Sequence, residues 1–195
     1  MLTFNEQVLK EQLAEMVEVR RSLFAAMVAT RLSVGYESYA GVGSGKFKAG
    51  LDYLWANLDA KGSTQDVSRY VEEAIALIPE ESDAQRPFAA QADNAASALA
   101  YALRSLIDRN PQEAAWAARV AYESADNLVI QRADVEIGGE EAENRIIEDP
   151  LIQSELDRQR LDVEIAATSA LDEATFERLR AECREWGLNF FGRLS

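Results

Sequence analysis

A chain of 195 residues with 34 acids, 20 bases and a net charge of −14 repels phosphate backbones and anionic lipid surfaces. It contains no histidine. That removes the usual general base near neutral pH, the Ser-His and Cys-His nucleophile pairs, and the commonest zinc, iron and copper ligand.

The first element opens at Thr3-Phe4-Asn5-Glu6, a capping-box pattern in which Thr3 and Glu6 satisfy each other's free amides. Leu9, Leu13, Met16 and Val17 follow at helical spacing, then a second stripe from Leu23, Phe24, Met27, Val28, Arg31 and Leu32. Whether Val19-Arg20-Arg21-Ser22 separates two helices stays open at this level. Val34 to Gly43 is expected to be a short helical turn ending in glycines, with Ser44 capping the next helix. There Phe47, Leu51, Leu54, Trp55 and Leu58 make one apolar face, and Lys61-Gly62 stops it. Ser63 and Asp66 restart the chain. Val67, Tyr70, Val71, Ala74, Ile75 and Ile78 then repeat in an amphipathic pattern closed by Pro79.

Pro87 fits the first turn of a long helix reaching about Arg109, with Ala92, Ala95, Ala96, Leu99, Leu103 and Leu106 inside. Asn110-Pro111 with Glu113 starts another, carrying Ala114, Ala118, Ala121, Ala125, Leu128 and Val129. Two alanine-rich helices joined by so tight a turn predict an antiparallel hairpin with closely approaching backbones. Asp134 to Asp149 is the least structured stretch, and residues 134–157 hold nine acids and one base. Asp149-Pro150 opens a helix to about Ser169. Asp172 caps the last one, whose face is Phe176, Leu179, Cys183 and Trp186, with Gly187 past its end. The expected fold is all-α: one domain over 1–195, an antiparallel multi-helix bundle of about seven to eight helices.

No basic-then-apolar leader opens the chain, and no apolar run approaches the roughly 20 residues that span a bilayer. The lone Cys183 forms no internal disulfide. A cytoplasmic protein binding neither nucleic acid nor membrane is expected.

Several segments together resemble a bacterial family, the YjaG-like domain of unknown function 416. They are Ser22-Leu-Phe-Ala-Ala-Met-Val-Ala-Thr-Arg-Leu32, Gly43-Ser-Gly45 followed by Leu51-Asp52-Tyr-Leu-Trp55, and Glu72-Glu-Ala-Ile75. The helix around Asp93 and Ala98-Leu99, and Asp149-Pro150 with Glu155, extend the likeness along most of the chain. The resemblance implies a helical protein without an established activity, and so carries over no catalytic residue. The sequence departs from the family pattern at Lys46 and around Glu123 and Asp126.

Three features carry possible chemistry. Ala40-Gly-Val-Gly-Ser-Gly45-Lys46 imitates a phosphate-binding loop, but Phe47 stands where a metal-holding hydroxyl belongs and no buried strand precedes it. A glycine turn between helices is the better reading. Glu123-Ser-Ala-Asp126 puts two carboxylates on one helix face, as a shared Mg²⁺ in an all-helical nucleotide pyrophosphohydrolase requires. The preceding helix offers Asp93 and Asn94 rather than a second glutamate pair, so exposed surface acids are the plain alternative. Asp93, amid alanines, is either a ligand contact in a cleft or a satisfied structural group. Cys183 and the tryptophans Trp55, Trp116 and Trp186 fit core positions.

No cofactor is implied, no catalytic residue is assigned, and Asp93, Glu123 and Asp126 are the metal candidates. The composition leans away from an enzyme, toward a protein acting through protein contacts. There are more apolar helix faces than one core needs, so a homodimer is expected. The alternative is the Mg²⁺-dependent enzyme using Glu123 and Asp126.

Overall fold

A computed structural model describes residues 1–59, 64–83, 86–108, 110–133 and 145–192, with side chains except at 42 and 43. Among the described residues there are eight α-helices of nine or more residues, and no strand. They are α1 (Glu6–Ala14), α2 (Glu18–Ala40), α3 (Gly45–Ala56), α4 (Thr64–Ile75), α5 (Ala89–Arg104), α6 (Gln112–Ala133), α7 (Pro150–Thr168) and α8 (Glu173–Phe191). The predicted stops and starts at Lys61-Gly62 and Ser63, and the acidic stretch up to residue 144, lie outside the described residues.

The centre of the molecule is α2, whose residues Ser22 to Tyr36 are all buried. A helix surrounded on every side needs no apolar stripe, because each face meets another helix. This explains why the expected turn at Val34–Gly43 is instead the continuation of one 23-residue helix. Its polar residues bond inward: the Thr30 hydroxyl donates to the Ala26 carbonyl at 2.7 Å and accepts from Trp55 Nε1 at 2.9 Å. Around α2 pack α3, α5, α6, α7 and α8, with α4 against α3 and α5 and α1 against α6.

The alanine hairpin forms as expected. The Asn110 side chain accepts from the Gln112 amide at 3.0 Å, starting α6. Arg104 Nε donates to Glu113 at 3.0 Å, and the Tyr101 and Trp116 rings lie 5.5 Å apart, fixing α5 and α6 antiparallel. All six predicted inner residues of α6 are buried, and Ala92, Ala95 and Ala96 are fully so. The face Phe47, Leu51, Leu54, Trp55 and Leu58 is buried as well.

Several local expectations are corrected. Asn5, not Thr3, caps α1, its side chain accepting from the Val8 amide at 3.1 Å. Asn5 directly precedes the helix, whereas Thr3 lies two residues further out. The chain breaks at Glu15–Val17, upstream of Val19–Ser22, so Val17 is exposed rather than in the core. Ser44 makes no side-chain cap, because the preceding residues already wind as a 3₁₀ turn, Gly41–Ser44. Pro87 precedes α5 rather than entering it: Phe88 takes a left-handed conformation, φ 64°, and the helix begins after it. It ends at Arg104, short of Arg109. Ile75 is exposed, since α4 ends there.

Gly187 lies inside α8 rather than beyond its end. A methyl group there would overlap the Arg31 backbone carbonyl and sit 3.1 Å from Val34 Cγ2. The glycine marks where α8 crosses α2 in backbone contact. Asp149 and Asp172 cap α7 and α8 as expected, each accepting an amide proton at 2.8 Å, from Leu151 and Thr175.

Candidate functional site

The most concentrated polar chemistry lies in the interior. Arg31 on α2 is 1% exposed, and its partners Glu155 and Asp162 on α7 are 2% and 0% exposed. Arg31 Nη2 donates to Glu155 Oε1 at 2.9 Å, while Nη1 pairs with Asp162. The other Asp162 oxygen accepts from Arg158 Nε at 2.9 Å. Gln159 Nε2 donates to Glu155 at 2.8 Å and to the Ala118 carbonyl at 2.9 Å, tying the cluster to α6. From α8, the Trp186 ring lies 5.2 Å from the Arg31 guanidinium carbon, and Cys183 Sγ accepts from Arg158 at 3.4 Å.

Two arginines thus meet two carboxylates, so the centre is neutral. Burial opposes the Arg31 charge, but Asp162 and Glu155 outweigh it and hold the guanidinium more firmly protonated than usual. Burial pushes the Glu155 carboxyl above its ordinary range, with Arg31 pulling the other way. Cys183 is pushed up to about 12, chiefly by burial, so its thiol is inert at neutral pH. Groups this deeply enclosed touch no solute. They join α2, α6, α7 and α8.

The residues singled out in sequence lie elsewhere. Glu123 accepts from Arg119 Nε at 2.9 Å on the surface of α6. Asp126, one turn on, is half-buried, and burial followed by the Glu123 charge raises its carboxyl. Asp93 is exposed on α5 and accepts from the Ser97 hydroxyl at 3.2 Å. Among the described residues no three His, Cys, Asp or Glu side chains converge on a cation position. The glycine segment before Lys46 follows α2 and not a strand, in keeping with a turn between helices. Cys183 and Trp55 are core residues, whereas Trp116 and Trp186 are only half-buried.

The surface carries two features that the sequence analysis missed. A cleft of about 440 Å³ between α3 and α8 has Trp55 and Phe176 at its base and Asp59, Glu173 and Glu177 at its edge. Adjoining grooves of about 510 and 550 Å³ run along α7 and α8 and share Ser154 and Trp186. Leu161 and Leu188, 45% and 51% exposed, line these two grooves. Long apolar side chains standing in solvent beside a half-buried tryptophan were the available signal. It was masked because Trp186 shares a helical stripe with buried Cys183 and Leu179.

Fold and interior together define an all-helical bundle closed around a neutral charged centre. The chain belongs to the family described as protein of unknown function DUF416, whose model matches residues 8–192. The crystal structure of a DUF416 family protein from Shewanella baltica OS155, at 1.91 Å resolution, shares the fold with a TM-score of 0.76. It is 16% identical, and the match covers 90% of this chain and 92% of that one. No curated protein matches the sequence. Among the described residues, no helix is long and apolar enough to cross a membrane.

Proposed function

We propose that this protein acts without catalysis, through protein–protein contacts, and that its α7–α8 groove is the interface of a homodimer. The observation that carries this reading is the exposure of Leu161 and Leu188 on either side of Trp186. Apolar side chains clustered around an aromatic are the usual centre of an interface.

Charge selects the occupant. The chain as a whole is at −14, so two copies repel over most of their surface. At the groove both signs stand in solvent, because exposed Asp157 lines it and pairs with exposed Arg160 at 3.6 Å. A face bearing both signs can meet itself about a two-fold axis with acid against base. A basic partner would find more attraction at the acidic α3–α8 cleft. The negative charge supports a role away from nucleic acid and membranes, and the single buried thiol supports a cytoplasmic location.

Sedimentation velocity across the micromolar range tests the proposal. The wild type should sediment as a dimer, and Leu161→Asp with Leu188→Asp as a folded monomer with an unchanged circular dichroism spectrum. A wild-type protein that stays monomeric throughout overturns it.

A further inference from the structure

Five buried side-chain atoms lack a hydrogen-bond partner among the described residues: Arg31 Nε, Gln91 Nε2 and Oε1, Asn94 Nδ2 and Ser124 Oγ. They come from three helices, yet the helix register brings them to one level. The Ser22 hydroxyl donates to the Ser105 carbonyl at 2.9 Å, and a methyl at Gly35 would lie 3.1 Å from Gln91 Cβ. These two contacts set α5 antiparallel on α2, with Asn94 beside the Arg31–Gly35 turn. The Arg104–Glu113 and Tyr101–Trp116 pairs likewise set α6 on α5, with Ser124 level with Asn94. With a 1.5 Å rise per residue, the backbone positions of Arg31, Gln91, Asn94 and Ser124 fall within roughly 7 Å of bundle height.

Unpaired polar atoms are scarce in folded interiors, and a group of them at one level calls for a shared partner. We infer that the Gln91, Asn94 and Ser124 side chains bind ordered water between α2, α5 and α6. The atoms suit it. Gln91 Nε2 and Asn94 Nδ2 donate, Gln91 Oε1 accepts, and the Ser124 hydroxyl does both, which supplies the two to four partners an internal water takes. An anion is the poorer occupant, because the nearby Arg31 charge is already matched by Glu155 and Asp162. Neighbouring Ala92, Ala95 and Ala98 on α5 carry only a methyl group each.

A crystal structure at a resolution that shows ordered solvent decides the matter. At least one enclosed water should bond to two of the Gln91, Asn94 and Ser124 side chains. In solution, the Gln91 and Asn94 side-chain amide protons should show nuclear Overhauser cross-peaks to long-lived water. The Asn94 cross-peak should weaken in Gln91→Leu, a change that leaves the Arg31 pairs intact. A dry interior in which both amides pair directly with protein groups, with no water cross-peaks, overturns the inference.

Discussion

Arg31 carries more of the structure than any other side chain, because three elements meet on it. Replacing it with methionine leaves Glu155 and Asp162 enclosed without their shared cation. Breaking a buried pair from one side costs about 3–5 kcal/mol. Chemical denaturation should show Arg31→Met destabilised by about that much, while Arg31→Met with Glu155→Met recovers part of the loss, because a buried charge then disappears with its partner. A single variant as stable as the wild type would mean that the centre contributes nothing.

Asp172 makes stability depend on pH. Its bonds to the Thr175 backbone and side chain hold its carboxyl below the usual 3.8. A carboxyl lowered by folding stabilises above its unfolded value, and that contribution is lost as pH falls through the folded one. The melting-temperature gap between wild type and Asp172→Ala should therefore be widest near neutrality. It should narrow below pH 3.8 without vanishing, since a protonated Asp still accepts an amide proton.

At the scale of elements, the hairpin of α5 and α6 depends on small side chains. Ala96 is fully enclosed. Ala96→Leu should overpack it and cost about 1–3 kcal/mol, read as a lower melting temperature. An unchanged melting temperature would mean that the neighbouring helices can move apart.

The elements also show what a sequence can disclose. The α4 and α6 faces and the Asn110, Asp149 and Asp172 caps were legible, because they depend on neighbours two to four positions away. Enclosed on every side from Ser22 to Tyr36, α2 runs beyond the stripe of Leu23 to Leu32, which therefore did not mark its extent. Gly187 looked like a helix end because glycine usually is one; only the approach of α2 explains it in mid-helix. The charged centre was hidden for a different reason, since Arg31 and Glu155 lie 124 residues apart. Its trace was nonetheless present. Glu155, Gln159 and Asp162 occupy the helical stripe of Leu151, Ile152 and Ala166, where apolar residues belong. Arg31 and Glu155 also both stand in the segments that carried the family resemblance.

For the whole molecule, electrostatics divides into two parts. Most ion pairs, such as Arg69–Glu73 and Arg178–Glu182, are exposed and contribute little. The net charge of −14 acts against compactness everywhere at once. Adding sodium chloride screens the repulsion more than it weakens the scattered pairs, so the melting temperature should rise with salt. A fall would show that the surface pairs outweigh the repulsion.

The enclosure of α2 has a consequence for biosynthesis. A ribosome delivers this strut before α7 and α8, which seal it. Arg31 emerges 131 residues before Asp162, on the order of ten seconds at ordinary translation speed. Throughout that interval the nascent chain presents a segment destined for burial and an unmatched guanidinium to its surroundings. Native burial of α2 therefore waits for α7 and α8, and truncation before α8 leaves its centre unsealed.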